Sequence, residues 1–456
     1  MFDLIVIGGG PGGYAAAEFA AQKGMNVALV ERDRLGGTCL HRGCIPTKTY
    51  LHTAETARQA AAFAPDFAKF VDRGSMLKHK NEIVETLANG VATLLKTAKV
   101  TVFSGTATLA GASAPFRVSI IDGDGATQSI EAQHVLLATG SVPTRLPVPG
   151  CDNPAVWTSD DLLAEPGTEP FQSMLIVGGG VIGVEMASIY ADLGISVTIL
   201  EAEARCLPMM DTELGRSAEM MLKGRGVTVL TGARLQKIIQ TDTGFTAAYE
   251  KNSAAAEVSA ERVLLATGRI PATSGLLADD VSLAMNRRFI AVDAQYQTNV
   301  PGVYAIGDVN GQNQLAHAAH AQGVAAVSAM LGIVSPIDPM LVPSCVYTAP
   351  EIASVGLTQD EAKAQGRDVA IGKALTTHNA RTLIEGLGRG FIKLLFDRQT
   401  HVLLGAQLFC GRATDIVGEL ALAVQSGLTA EAMLRSLRAH PTFEEAITDA
   451  ISAAKF

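Results

Sequence analysis

The sequence predicts an α/β fold made of two Rossmann-like units and a separate C-terminal domain. Three observations lead there. The chain opens on a short apolar run that ends in glycines and is followed by an alanine-rich stretch, the pattern of a strand, a tight turn and a helix. The same pattern returns near residue 178 in the same register. Pro-bearing stretches at 142–154, 270–274 and 333–343 mark the seams at which such units would meet.

In the first unit, residues 3–7 (DLIVI) form the continuous apolar run expected of a parallel strand buried on both faces. Residues 14–23 (YAAAEFAAQK) favour a helix, Gly24 is placed to stop it, and residues 26–30 (NVALV) form a second buried strand ending at Glu31. In the second unit, residues 174–177 (MLIV) lead into Gly178–Gly183, a helix to about Leu193, Gly194, and a strand over 196–200 ending at Glu201. Gly8 to Glu31 and Gly178 to Glu201 each span 23 positions. Equal spacing of glycines and acid in two places is the mark of an internal repeat.

A chain of 456 residues is too long for one core, so two to four domains are expected. The 36 basic and 45 acidic residues give a net charge of −9, which argues against nucleic acid as a partner. No apolar run approaches the roughly 20 residues that span a bilayer, and the start MFDLIVIGGG lacks a secretory leader's basic region and cleavage site. No membrane partner and a cytoplasmic or matrix-like compartment are therefore expected. Six cysteines are too few for a disulfide-stapled scaffold, and Cys151, Cys206, Cys345 and Cys410 stand alone. Only Cys39 and Cys44 form a close pair.

A lone G-x-G-x-x-G is a weak signal, but here strand, glycines, helix and acid are all in phase. Gly8, Gly10 and Gly13 allow a tight turn whose N–H groups approach a pyrophosphate at a helix N-terminus, and Glu31 is placed for a ribose hydroxyl. Gly178, Gly180, Gly183 and Glu201 repeat that arrangement. The first fingerprint leads directly into Cys39 and Cys44, so the cofactor that exchanges electrons with sulfur, FAD, is expected there, and the nicotinamide nucleotide in the second. Glu201 would repel a 2′-phosphate, which favours NAD over NADP. Arg205 nearby reads as a solvated loop cation.

In GGTCLHRGCIPTK the two cysteines are too far apart for a bridge along an ideal helix, where the axial rise between them is about 7.5 Å. Gly43 and Pro46 supply what a distorted first turn requires. So short a loop would make a poor structural staple, and redox cycling is the better use. A helix N-terminus and Arg42 would both lower a thiolate pKa, with the favoured sulfur left open.

This segment closely resembles the redox-active segment of the pyridine nucleotide–disulfide oxidoreductases, and IPTK is most similar to the dihydrolipoamide dehydrogenases among them. The resemblance extends over nearly the whole chain through LLATGS (136–141), LLATGR (264–269), TNVPGVYAIGDV (298–309), CVYTAPEIASVGLT (345–358) and RAHPTFEE (438–445). It implies that Cys44 is the sulfur against the flavin, stabilised there as a thiolate by charge transfer, and Cys39 the outer sulfur that exchanges with substrate. It implies that Lys48 lies near the flavin and pairs with Glu185, although both residues by themselves read as ordinary helix charges. Asp308 is implied as a flavin ligand, and as an N-cap it would be equally intelligible. Further cofactor contacts are implied at Pro11, Thr38, Ala138, Thr139, Gly140, Ile182, Gly268 and Arg269.

The resemblance also divides the chain into 1–144, the first part of an FAD-binding domain; 145–269, an NAD-binding domain; 270–337, the second part of the FAD-binding and central domain; and 338–456, an α+β interface domain that forms a homodimer. Thiol–disulfide exchange needs a base, and His440 with Glu445 five residues on is the candidate dyad. A capping box formed by Thr442 and Glu445 is the competing use of the same carboxylate. Whether His440 serves its own chain's cysteines or a second copy's is open from sequence, and the family lends it to the partner. His317 and His320 follow the AIGD segment without ligand-type spacing, His41 reads as solvated, and no metal site is expected.

The implied activity is oxidation of dihydrolipoamide, free or on the lipoyl domain of an acyltransferase subunit, with reduction of NAD. The chain would then be the dehydrogenase component of a 2-oxo acid or acetoin dehydrogenase-type complex. A disulfide reductase with another dithiol, or a redox-idle structural subunit, are the alternatives. His41 and Arg42 stand where Asn and a small apolar residue are frequent, and Arg438 where a histidine often precedes His440, which leaves the preferred dithiol open.

Overall fold

The computed structural model describes residues 1–64, 71–164 and 170–456. Strand β1 (Phe2–Ile7), helix α1 (Pro11–Gln22) and strand β2 (Val27–Glu31) form the first βαβ unit, β1 and β2 pairing in parallel from Leu4↔Val27 to Ile7↔Val30. Leu4, Ile5, Val6, Ala28 and Leu29 are fully buried, which explains why both runs are apolar without alternation. α1 begins at Pro11, three residues before the expected start. Proline suits the first helical position, where its missing N–H would have had no partner.

The first sheet runs Thr101–Ser104, β2, β1, Thr127–Leu137, Phe116–Ile121 and Thr106–Ala110, and Val303–Ala305 also pairs in parallel with Thr127–Leu137. A strand from beyond residue 300 thus completes a sheet begun at residue 2. Between β2 and the rest lie α2 (Gly37–Arg42) and α3 (Cys44–Ala61), separated by Gly43 alone.

The second unit repeats the first with β3 (Ser173–Val177), α4 (Val181–Asp192) and β4 (Ser196–Leu200). Its parallel sheet runs Thr228–Leu230, β4, β3, Arg262–Leu265 and Trp157–Thr158. The chain enters and leaves this unit through Ser141–Pro143 and Arg269–Pro271, which pair antiparallel with Val142 opposite Ile270. α3 packs along α4, so the helix that starts at Cys44 lies against the helix that starts the second nucleotide turn.

Helix α5 (Ala316–Met330) crosses α1 at close range. A Cβ on Gly12 would lie 2.9 Å from the Ala319 carbonyl oxygen, and one on Gly323 would lie 2.8 Å from that of Gly12. The C-terminal part is an antiparallel sheet in the order Ser344–Val346, Glu351–Gly356, Leu403–Cys410, Phe391–Asp397 and Val369–Leu375. Helices α6 (Ala413–Gln425) and α7 (Glu445–Ser452) cover it, burying Ile392, Leu394, Phe396 and Leu408 against Leu420 and Ile447. Among the described residues no helix is long and apolar enough to cross a membrane.

Candidate active site

The two glycine turns have the same geometry. Gly8 and Gly178 sit at φ of 108° and 111°, and a Cβ added to Gly13 or Gly183 would lie 1.9 Å from the carbonyl oxygen of Gly8 or Gly178 respectively. Only glycine lets helix and strand close so tightly. Gly180 faces open space, as a backbone that must admit a pyrophosphate should. Each acid at the end of the second strand clamps its own turn. Glu31 Oε2 accepts from Gly9 N–H at 2.7 Å, and Glu201 Oε2 accepts from Gly179 N–H at 2.5 Å. Sequence reasoning assigned these carboxylates to a ribose alone, so their tie to the turn is an addition. Arg205, expected in solvent, folds back onto the Leu207 carbonyl at 2.9 Å.

A cavity of about 1080 Å³ joins the two turns. Gly8, Gly10, Pro11, Glu31, Thr38, Ala138, Thr139, Gly140 and Asp308 line it on the first side, and Gly180, Ile182, Gly268 and Arg269 on the second. Cys39, Cys44, Lys48 and Glu185 lie on the wall between. Gly13, Gly178, Gly183 and Glu201 are not among the lining residues, and act from behind it on the turns.

The cysteines meet because the helix breaks. α2 ends at Arg42, Gly43 takes φ −144° and ψ −114°, and α3 starts at Cys44. A Cβ on Gly43 would lie 2.9 Å from the Thr38 carbonyl oxygen, so close approach fixes glycine there. Pro46 is the third residue of α3, where its missing N–H costs no helical bond; the break belongs to Gly43. The opposite pKa shifts of the two thiols have one leading cause, a hydrogen bond from Cys39 to the sulfur of Cys44. That bond is the main cause of a Cys44 pKa lowered to about 7, with Lys48 adding to it against the opposing effect of burial. The same bond, followed by burial, raises the Cys39 pKa. The direction of both shifts favours Cys44 as the thiolate, in line with the family resemblance that puts it against the flavin. Arg42 is not the cause: it pairs with Asp33 at 2.8 Å and Asp160 at 3.6 Å. His41, expected in solvent, turns inward to 2.7 Å from the Leu35 carbonyl oxygen.

Lys48 Nζ lies 2.9 Å from Glu185 Oε2 and 3.1 Å from Oε1, joining α3 to α4. Tyr347 N–H donates to Glu185 Oε1 at 2.9 Å, and its ring lies 4.4 Å from Lys48 Nζ. Asp308 is in a 3-10 turn over Gly307–Asn310, and the N-cap of α5 is Leu315, so Asp308 does not cap that helix. Burial raises its pKa, and Ser141 Oγ donates to it. Ser141 in turn accepts from Arg269 Nε at 2.8 Å. Tyr347 and Ser141 were missed by sequence reasoning, since neither spacing nor charge singles them out.

His440 Nδ1 is 2.9 Å from Glu445 Oε1, and Glu445 Oε2 accepts from Thr442 N–H at 2.9 Å. Dyad and half of the capping box therefore coexist on one carboxylate. The Thr442 hydroxyl donates to the Ala439 carbonyl, and the helix that starts at Glu445 has Glu444 at its N-cap with no side-chain cap bond, so the box is not completed. The Thr442 N–H and then His440 hold the Glu445 pKa low. His440 is exposed and is not among the residues lining the cavity. His317 Nε2 lies 2.8 Å from the Pro343 carbonyl oxygen, and no cluster among the described residues could hold a metal ion.

The family model for pyridine nucleotide-disulphide oxidoreductases matches residues 2–323, and the one for that family's dimerisation domain matches residues 342–451. The chain belongs to this family. A dihydrolipoyl dehydrogenase of Bacillus subtilis is 39% identical over 99% of this chain and 98% of its own, and one of Zymomonas mobilis is 37% identical over 99% and 98%. Among solved structures, LpdA of Mycobacterium tuberculosis superposes with a TM-score of 0.90 at 28% identity over 99% of both chains. The HOCl-induced flavoprotein disulfide reductase RclA of Escherichia coli does so at 0.88 and 28%, over 99% and 100%. As a member of this family the protein is an FAD- and NAD-dependent disulfide oxidoreductase, and its C-terminal part is the family's dimerisation domain, which pairs two copies. The cavity fits those cofactors. Besides the two glycine turns it presents the Thr139 hydroxyl oxygen, buried and without a partner, beside Asp308 and the paired cysteines.

Proposed function

We propose that this protein oxidises dihydrolipoamide to lipoamide with reduction of NAD, as the dehydrogenase component of a 2-oxo acid or acetoin dehydrogenase-type complex. The observation that carries the reading is the sulfur pair in the wall between two nucleotide turns, with Cys44 poised as the thiolate. Residues 1–144 and 270–337 hold FAD, residues 145–269 hold NAD, and residues 338–456 pair with a second copy.

In the oxidised enzyme Cys39 and Cys44 are bridged. The partner subunit's His440 takes a proton from one substrate thiol, and that sulfur attacks Cys39, expelling Cys44 as a thiolate. The second substrate thiol then displaces Cys39 from the mixed disulfide, closing the substrate's own S–S bond. The pair of electrons now resides on the Cys39–Cys44 dithiol, and the protons released are carried by His440 and Cys39. Glu445 orients the imidazole and stabilises its charged form. FAD, held by the Gly8–Gly13 turn, Glu31, Thr38, Ala138–Gly140 and Asp308, supplies two-electron passage from sulfur to nicotinamide. Lys48, fixed by Glu185, keeps positive charge beside the sulfurs and the flavin site. The exposed His440, outside its own chain's cavity, supports action on the partner's cysteines.

Assay of NADH formation from dihydrolipoamide against other dithiols tests the reading. Cys44→Ser should abolish dithiol turnover while flavin stays bound, and undiminished turnover would overturn it.

A further inference from the structure

Arg42 lies between the two cysteines, at the last position of α2 and one residue before the Gly43 break. It reaches in two directions. Toward the first unit it pairs with Asp33, whose own N–H donates to Glu31 Oε1 at 2.8 Å while Glu31 Oε2 clamps the Gly9 turn. Toward the second it meets Asp160, which lies 3.3 Å from Arg269 Nη1. Arg269 continues to Ser141, and Ser141 to Asp308. A polar chain thus runs from the redox turn to the buried carboxylate on the flavin side, and Arg42, Asp160, Arg269, Ser141 and Asp308 all line the cavity.

Arg42 is 37% exposed, Asp33 45% and Asp160 26%, and ion pairs this open add little to stability. Their effect is on placement. While the bridge is closed, the covalent bond fixes the two sulfurs. Once it opens, the backbone link from the Cys39-bearing turn to α3 runs through Gly43, which has no side chain to brace it, and the turn is held by the buried Leu40, the inward-turned His41 and the ion pairs of Arg42. A sulfur–sulfur hydrogen bond weakens steeply with distance and angle, so the end of α2 needs a second anchor.

We propose that Arg42 is a positioning residue for the redox pair, clamping the Cys39-bearing turn between the two nucleotide units so that Cys39 stays within hydrogen-bond reach of Cys44 after reduction. The inference rests on the redox reading above. The groups that face Cys44 are Cys39, Lys48, Glu185 and Tyr347, and Tyr14 faces Cys39. Arg42 is not among them, so it acts through geometry and not through its own charge.

The test uses the full-length flavin-loaded protein, reduced anaerobically with NADH, and follows the long-wavelength thiolate absorbance against pH, with flavin content measured alongside. Arg42→Ala should move the midpoint up by about one pH unit, the size expected for losing one hydrogen bond to the thiolate. Asp160→Asn, cutting the clamp from its other side, should move it in the same direction, and Arg42→Lys should restore most of the shift. A wild-type band whose midpoint neither Arg42→Ala nor Asp160→Asn moves overturns the clamp alone. A wild type without the band overturns the redox reading and the clamp with it.

Discussion

In the proposed cycle, Cys44 is the residue whose protonation controls the passage of electrons from sulfur to flavin. Its pKa is depressed to about 7 by the Cys39 hydrogen bond and Lys48, so the thiolate forms as pH rises through 7 and is lost below it. The rate at which the dithiol-reduced enzyme passes electrons on to NAD, a step that starts from the Cys44 thiolate, should therefore fall about tenfold per unit of pH well below that point. Stopped-flow reduction of NAD across pH 5 to 9 checks this, and a flat profile would contradict it. Glu185 opposes the thiolate electrostatically, yet anchors Lys48 and takes the Tyr347 N–H. Glu185→Gln should raise the thiolate midpoint, because an unanchored Lys48 no longer lowers it and that effect is larger than Glu185's opposing one, while slowing dithiol turnover about tenfold or more. If midpoint and rate rise or fall together, the anchoring role fails. Glu185 and Lys48 gave no signal of their own in the sequence, since helix charges are common. Family resemblance named them, and packing of α3 on α4 brings them to 2.9 Å.

At the scale of elements, the two βα turns are the same device used twice, and they should fail independently. Gly183→Ala would place a Cβ 1.9 Å from the Gly178 carbonyl oxygen and force α4 away from β3. The expected protein is yellow and accepts electrons from dithiol but does not reduce NAD. Gly13→Ala, with the same 1.9 Å clash in the first unit, should be purified without flavin. Absorbance at the flavin maximum and NAD titration separate the outcomes, and a Gly183→Ala protein lacking flavin would show that the turns are not independent. These elements were legible because periodicity, glycine spacing and terminal acid all act locally. The broken helix at Gly43 was half legible. Glycine and proline both announced a distortion, but only the close approach to Thr38 shows that Gly43 makes it and that Pro46 merely tolerates the start of α3.

Across the whole molecule, the sites of two copies should complete each other. Mixing Cys44→Ser and His440→Gln chains, each inactive by itself, should give dimers with one intact site, and random pairing should recover about a quarter of wild-type activity. No recovery on mixing would place His440 with its own chain's cysteines. The C-terminal part is also locked to the second nucleotide unit by Lys393, whose Nζ is 2.9 Å from Asp211, both side chains 2% exposed. Lys393→Met would strand that carboxylate, and a loss of about 3–5 kcal/mol in denaturant unfolding is expected. A loss under 1 kcal/mol would mean that water or Glu213's neighbour Lys373 takes over the charge.

The sequence by itself determined the fold class, the repeated nucleotide turns, the reactive sulfur pair and the chemistry they serve, because those depend on short spacings between residues close along the chain. Tertiary structure alone decided that Arg42 pairs with Asp33 and Asp160, and that Tyr347 and Ser141 line the cavity. Arg42 and Asp160, Tyr347 and Glu185, and Ser141 and Arg269 are each more than a hundred residues apart, and no local pattern of residue types encodes a distance across a fold.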